Sequence, residues 1–202
     1  MSRQLKLHQL YKVYNNHVMK VILASQSPRR KAILEDLGLQ YEVIVPDCDE
    51  VTDKTEPEEI VLDLSKKKAL NVESRTSEPS TIIAADTIVY QDGNILEKPK
   101  DENEAFAMLK QLIDNWHTVF TGVCIISADN SAIRYCETSQ VHMRKVSDED
   151  IWDYIKTSQP FDKAGAYGVQ DDTCNFVDEV KGEIETVIGL PIIRLKQELN
   201  LN

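Results

Sequence analysis

The chain has 202 residues, 42% of them hydrophobic, and its 34 acidic and 23 basic side chains give a net charge of −11. This length can bury the core of one domain, and no apolar run approaches the ~20 residues of a membrane-spanning helix. The negative charge argues against binding a long polyanion such as DNA or RNA, although a local basic cluster could still hold a small phosphorylated ligand.

Residues 1–20 carry several basic side chains, and the first acidic residue is Glu35. This charge resembles that of a transit peptide, but arginine is sparse and an apolar secretion segment is missing. Apolar residues from Leu5 to Tyr14 could line one side of a short helix. We therefore predict an extension over 1–20, packed as a helix on a single domain of residues 21–202.

The segment 21–34 predicts a strand that leads into a helix. Ser27 is placed to cap the helix, and Pro28 follows at the first helical position. Arg29 and Arg30 then lie in the first turn, where free backbone N–H groups already favour an anion. A bound phosphate would explain both arginines, whereas on an ordinary surface helix they would point to water.

The rest of the chain alternates strand and helix patterns and contains both βα units and hairpins. This combination predicts an α/β fold with a mixed sheet and flanking helices. Short strands are predicted between Gly165 and Gly189. The other predicted strands cover 41–45, 81–90, 94–97, 118–127 and 131–144, and the predicted helices cover 57–72, 101–112, 147–157 and a last helix from 191.

The four cysteines are scattered and form no C-x-x-C pair. This usage indicates reduced thiols in a cytoplasmic protein rather than a disulfide framework or a zinc site.

Asp86 interrupts the apolar run IIAADTIV. A carboxylate inside a buried strand is costly unless it is paired, hydrogen-bonded or bound to a metal. Asp86 is therefore either a functional carboxylate or a satisfied structural residue at a bulge.

Other charged residues follow predicted strands or lie in a glycine-rich segment. Glu50 follows strand 41–45, and Lys98 ends the strand 94–97. In DKAGAYGVQ, residues 162–170, the glycines could let the backbone approach a ligand or simply serve turns. The lysine run at 66–68 most often means a solvated helix face. Together, several cations and at least two acids are what a metal-assisted phosphate site needs.

The motifs LASQSPRR, PDCDE, AADTIV, ILEKP, HTVFTGV, DKAGAYGVQ and VIGLP occur in this order over about residues 21–200. In this set the sequence resembles the Maf family of nucleotide pyrophosphatases. The resemblance implies a fold related to the inosine triphosphate pyrophosphatases, with a cleft between two lobes, and a homodimer. It also implies hydrolysis of a nucleoside triphosphate to the monophosphate and pyrophosphate with a divalent cation, Mg²⁺ or Mn²⁺.

The resemblance implies roles for individual residues. Asp86 matches the catalytic base, and Glu50 with Asp86 would hold the metal. The residues expected to contact the substrate are Ser25, Arg29, Arg30, Glu50, Lys68, Lys98 and Lys163. Arg29, Thr87 and Gln170 match positions associated with base specificity, and the A-D-T and Y-G-x-Q forms resemble the subfamily that acts on dTTP and UTP. Thr and Gln side chains can hydrogen-bond a pyrimidine edge.

Two segments depart from the family pattern. Asp114-Asn115-Trp116 stands where the family has S-G-R-x, and we expect a reshaped turn there. Asp171-Asp172 replaces a glycine-rich continuation, which could alter base preference, bind a cation or have no effect. A non-catalytic nucleotide-binding regulator of cell division on the same fold is the alternative function. A P-loop kinase or GTPase is disfavoured because G-x-x-x-x-G-K-[ST] does not occur.

Overall fold

The computed structural model describes residues 13–14, 17–18, 20–171 and 174–201. It contains short and long strands with helices between them. The strands are β1 (Val13–Tyr14), β2 (His17–Val18), β3 (Val21–Leu23), β4 (Tyr41–Val43), β5 (Thr81–Gln91), β6 (Asn94–Leu96), β7 (Trp116–Ile126), β8 (Ala132–Met143) and β9 (Val177–Lys181). The helices are α1 (Pro28–Asp36), α2 (Pro57–Glu73), α3 (Glu102–Leu112), α4 (Asp148–Ser158), α5 (Ile184–Ile188) and α6 (Ile192–Glu198).

The main sheet has seven strands in the order β4-β3-β5-β7-β8-β9, with β6 paired to β5 beside this path. β3 lies parallel to both β4 and β5, whereas β5, β7, β8 and β9 pair antiparallel along the order. The predicted α/β fold with a mixed sheet is therefore confirmed. No helix among the described residues has the length and apolar character that crossing a membrane would require.

Local signals placed most helix starts correctly. Ser27 caps α1 by accepting a hydrogen bond from the Arg30 backbone N–H, with Pro28 at the first helical position. The Asp101 side chain caps α3 by accepting a hydrogen bond from the Glu104 N–H, and the Glu104 carboxylate accepts one from the Lys100 N–H.

The segment between Gly165 and Gly189 differs from the prediction of short strands. It holds a 3₁₀ turn at Ala164–Ala166, strand β9 and helix α5. The glycines indicated the turns correctly. They could not indicate the short helix, because one and a half helical turns show little hydrophobic periodicity.

The predicted N-terminal helix falls largely outside the described residues. Of this extension, the structure describes Val13–Tyr14 and His17–Val18, which pair as a short antiparallel ladder, and Lys20. A helix therefore does not continue through these four paired positions.

Side chains of β5 point alternately to the two faces of the sheet, and this alternation sets the directions of Asp86 and Thr87. Ile83 and Ala85 pack with α1 residues, whereas Ile82 and Ala84 pack with α2 residues. Because successive side chains of a strand point to opposite faces, Asp86 turns toward α2 and Thr87 turns toward α1.

Helix α2 lies unusually close to the sheet at Gly122, the β7 residue paired with Asp86. A Cβ at position 122 would meet the carbonyl carbon and oxygen of Val61 at 2.5 Å, and both are α2 backbone atoms. The glycine therefore sets the distance between α2 and the strand that carries Asp86.

We predict that Gly122→Ala destabilises the protein, because overpacking against backbone cannot be relieved by a side-chain rotation. The expected loss is roughly 1–3 kcal/mol, or a melting temperature lower by about 2–4 °C for each kcal/mol. Thermal unfolding followed by circular dichroism measures it. Gly38→Ala serves as the comparison, because nothing lies within 4 Å of its added Cβ and its loss of stability comes from the backbone strain of an alanine at a φ of +68° alone. Equal melting of Gly122→Ala and the wild type would contradict the close approach.

Candidate active site

A cavity of about 280 Å³ opens beside the N-terminus of α1. Its walls come from α1, β5, the segment after β6, residues 162–170 and α5. A smaller cavity of about 70 Å³ adjoins it and shares Arg30, Lys68 and Lys98 with it. Elements distant in sequence thus bring the predicted site residues into one continuous depression. Lining the first cavity are Arg29, Arg30, Lys68, Asp86, Thr87, Lys98, Lys163 and Gln170, and lining the second are Ser25 and Glu50.

Lys68 joins two carboxylates at the junction of the cavities. Its Nζ donates to Asp86 Oδ1 at 2.6 Å and lies 3.1 Å from Glu50 Oε1. Lys68 and Asp86 are 8% and 7% exposed, whereas the Glu50 side chain is about half exposed. Of the lysine run 66–68, the structure therefore turns Lys68 into the site, while Lys66 is exposed.

The environment keeps Glu50 charged. Burial alone would raise the pKa of Glu50, but the nearby ammonium groups of Lys68 and Lys98 outweigh burial and hold its pKa below the ordinary value. Glu50 is thus a carboxylate held ready at the open side of the site.

The donor set suits a hard divalent cation that shares its ligands with a substrate. Magnesium in proteins is usually bound through one or two carboxylates and substrate phosphates rather than by a full protein cage. Glu50 and Asp86 approach the same ammonium group and so offer two carboxylates around one point. No cluster of three or more metal-ligating side chains occurs in the described part of the chain. The two carboxylates therefore fit a metal that substrate phosphates would also bind.

Arg30 organises the other side of the cavity. Its Nε donates to the Gly189 carbonyl at 2.8 Å, and its Nη2 donates to Thr87 Oγ1 at 3.1 Å. Its Nη1 lies 3.3 Å from Ser25 Oγ. A Cβ at Gly189 would lie 3.1 Å from Thr87 Oγ1, so only glycine leaves this arrangement undisturbed.

Thr87 is further fixed from the strand beside it. Its Oγ1 lies 2.9 Å from Thr121 Oγ1, and Thr121 donates to the Thr186 carbonyl at 2.8 Å. The Arg30 guanidinium meets only neutral acceptors in these contacts, so its positive charge stays available to an anion.

Arg29 turns to a different partner. Its Nη1 donates to Asp162 Oδ2 at 2.6 Å, and its Nη2 donates to the Asp162 carbonyl at 3.1 Å. The Asp162 carboxylate also accepts from Lys163, at 3.0 Å. Burial alone would raise the pKa of Asp162, but hydrogen bonds from Lys163 and Arg29 hold it below its ordinary value. The neighbouring arginines of α1 thus have different environments.

Lys98 and Gln170 both line the large cavity and are exposed. Within the described residues, Lys98 forms no ion pair. Its ammonium acts on Glu50 without a direct ion pair, so it can also meet an incoming anion.

Residues that the sequence did not single out complete the site. Asp162 was seen only as part of a motif, yet it bridges Arg29 and Lys163. Thr121 and Gly189 lie in the quoted motifs HTVFTGV and VIGLP, but a lone threonine or glycine gives no sign of what it contacts. Tyr167 also lines the cavity, and its OH lies 2.8 Å from His117 Nε2. Burial lowers the pKa of His117 to about 4.

The two segments that depart from the family pattern lie in different parts of the structure. Asp114 takes a left-handed conformation with φ of 64°, and Trp116 then starts β7, where the Lys181 ammonium lies 3.9 Å from its ring centre. The turn at 114–116 therefore leads into β7 and lies outside both cavities, and its reshaping relative to the family stays a prediction. Asp171 lies beside Lys163, with 3.6 Å between Oδ2 and Nζ. Asp172 lies outside the described residues.

Comparison with known proteins places these features in a wider group. The family model for "Maf-like protein" matches residues 20–201. The dTTP/UTP pyrophosphatase of Clostridium perfringens (strain 13 / Type A) is 45% identical over 184 residues, covering 90% of this chain and 96% of the relative. The dTTP/UTP pyrophosphatase of Thermosipho melanesiensis is 46% identical over 177 residues, covering 88% and 94%.

A solved structure supports the fold. The Staphylococcus aureus Ham1 protein superimposes with a TM-score of 0.50 over 90% of this chain and 98% of its own length, at 14% identity. At this identity the likeness concerns the arrangement of the sheet and helices.

Proposed function

Because the chain belongs to the Maf family, we propose that it is a nucleoside triphosphate pyrophosphatase that hydrolyses dTTP and UTP to the monophosphate and pyrophosphate. The observation that carries the proposal is the buried Lys68–Asp86 pair with Glu50 beside it, where two cavities meet. Relatives that share about 45% of the sequence over nine-tenths of the chain carry this activity in their names.

The chemistry follows from what each side chain can do. Lys68 engages Asp86 Oδ1, which leaves Oδ2 to accept a proton from a water molecule. That water attacks the α-phosphorus, and the bond from this phosphorus to the oxygen that bridges to the β-phosphorus breaks. The leaving group is pyrophosphate, and the new oxygen stays on the monophosphate.

The basic residues around Asp86 stabilise the charge that develops on the phosphates. Arg30, Lys68 and Lys98 surround the smaller cavity, with Ser25 Oγ as a neutral partner. Fixed cations in a partly dry site stabilise a transition state more strongly than they would in water. A Mg²⁺ or Mn²⁺ ion held by Glu50, Asp86 and the phosphates would polarise the phosphoryl oxygens.

Product analysis tests the reaction. Incubation of dTTP or UTP with the protein and Mg²⁺ or Mn²⁺ should release the monophosphate and pyrophosphate in equal amounts. Release of inorganic phosphate and a diphosphate would refute attack at the α-phosphorus. Binding without turnover would instead favour the nucleotide-binding regulator of cell division.

Two further features of the proposal concern the state of the protein in the cell. We infer a homodimer in the cytoplasm, on the family resemblance and on the unpaired cysteines of the described residues. Light scattering at micromolar concentration gives the oligomeric state directly.

We predict that Gln170→Ala narrows the preference for pyrimidine triphosphates. Gln170 lines the large cavity but not the smaller one, and its amide can donate to and accept from a pyrimidine edge. A neutral hydrogen bond is worth ~0.5–1.5 kcal/mol, so kcat/KM for dTTP and UTP should fall by a few-fold to tenfold relative to ATP and GTP.

The matched control for this measurement is Gln140→Ala, an exposed glutamine on β8 outside the cavity, which should leave the ratios unchanged. A wild type that prefers a purine triphosphate would contradict the pyrimidine assignment before any variant is made.

A further inference from the structure

A chain of charged and polar contacts in the wall of the large cavity centres on Asp162. Each oxygen of its carboxylate takes one cation: Oδ2 accepts from Arg29 at 2.6 Å, and Oδ1 accepts from Lys163 at 3.0 Å. Arg29 comes from the first turn of α1, whereas Asp162 follows α4, 133 positions along the chain. The contact therefore joins two elements that line the same cavity.

The chain of contacts continues to α4 and encloses the segment that carries Gln170. Lys163 Nζ lies 3.6 Å from Asp171 Oδ2, and that oxygen accepts a hydrogen bond from Tyr154 OH at 2.9 Å. The Gly168 N–H donates to the same hydroxyl at 3.1 Å. The turn that presents Gln170 is thus held at both ends.

Charge balance separates this end of the cavity from the other. Arg29 and Lys163 are matched by two carboxylates, Asp162 and Asp171. At the other end, the three cations Arg30, Lys68 and Lys98 face the two carboxylates of Asp86 and Glu50, so one positive charge is left unmatched. An anionic triphosphate is therefore attracted to the end near Arg30 and Lys98, which leaves Arg29 at the end where the nucleobase would lie.

We propose that Asp162 is a positioning residue for nucleobase selection, acting by holding the Arg29 guanidinium in one orientation in the wall of the large cavity. An arginine carries five N–H donors, and two are used on Asp162. The remaining donors are then available to a base with carbonyl acceptors, which uracil and thymine have and adenine does not. A preorganised donor discriminates between bases, whereas a mobile one follows whichever base enters. This inference rests on the proposed pyrophosphatase activity.

The test is Asp162→Asn, which keeps the shape and removes the charge. Because the Asp86–Lys68 pair does not involve this residue, kcat for dTTP should stay within about twofold, while KM rises roughly three- to tenfold. The ratio of kcat/KM for dTTP to that for ATP, whose base has no carbonyl, should fall by a similar factor. A purely structural residue would lower the melting temperature and leave this ratio unchanged, and that result would overturn the proposal.

A double-mutant cycle with Arg29→Gln tests whether Asp162 acts through Arg29. In that background, Asp162→Asn should cause no further loss of discrimination. Independent, additive losses would overturn the proposal. The matched control is Asp178→Asn, which removes a similarly exposed aspartate that pairs with His142 on the β8–β9 edge, and which should leave both KM and the ratio unchanged.

The wild type separates this proposal from the function on which it rests. Absence of pyrophosphate release from every nucleoside triphosphate would refute the proposed function. A wild type with a purine preference would refute the pyrimidine assignment alone. The Asp162 proposal would then be judged by whether Asp162→Asn reduces the ratio between the best and the poorest nucleotide.

Discussion

Asp86→Asn should lower kcat by a factor of ~10²–10⁴ while the protein still folds, because loss of a general base typically costs this much. The asparagine keeps the shape and can still accept from Lys68 Nζ through its carbonyl oxygen. Lys68 also retains Glu50 at 3.1 Å, so its ammonium is not left buried without a carboxylate. The melting temperature should therefore change by only a few degrees.

The measurement is steady-state turnover of dTTP together with thermal unfolding of the same samples. The matched control is Asp92→Asn at the β5–β6 turn, where φ is 49° and an asparagine is well tolerated. Near-normal turnover of Asp86→Asn would remove Asp86 from the mechanism. A collapsed melting temperature would make Asp86 a structural residue of β5.

Local patterns in the sequence predict most of the helices and strands of the fold. The cap at Ser27, the β-branched run of β5 and the Asp92-Gly93 turn all depend on neighbours within a few residues, and the structure has each of them. The last helix begins one residue after Pro191, which serves as its N-cap. Patterns fail where an element is too short for periodicity, as at α5.

The sequence also predicted which residues converge, but not how they pair. Alternation along β5 already places Asp86 and Thr87 on opposite faces. It cannot say that Arg30, rather than Arg29, donates to Thr87, because both arginines lie in the same turn of α1. Adjacent helical residues point about 100° apart, and only the packing of α5 and the segment 162–170 decides which of them meets each wall.

The same reasoning explains why Lys68 stands out from its neighbours only in three dimensions. In the sequence, Lys66, Lys67 and Lys68 are equivalent members of a run. In the structure, Lys67 reaches Asp63 and the Val51 carbonyl on the outer side of α2, and Lys68 lies between Asp86 and Glu50. Lys68 differs from Lys67 because it lies on the face of α2 that packs on β5 and β7.

Lys68→Met should lower kcat by about 10²–10³, the usual cost of removing one group that stabilises transition-state charge. Methionine retains much of the packing of the lysine stem, so the charge is the main loss. Lys68→Arg, which keeps the charge, should recover part of the rate. Lys66→Met is the matched control, since Lys66 is exposed on the same helix, and its turnover should equal that of the wild type.

The stability of Lys68→Met tests independently whether Asp86 and Glu50 bind the metal. Without the ammonium, Asp86 is left as a buried charge beside Glu50, and removing one partner of a buried pair typically costs ~3–5 kcal/mol. The cost should be lower here because the Arg30 charge still acts on Asp86. Added Mg²⁺ can replace the missing positive charge. Magnesium should therefore raise the melting temperature of Lys68→Met more than that of the wild type or of Lys66→Met. An equal shift in all three proteins would show that Asp86 and Glu50 do not hold the metal.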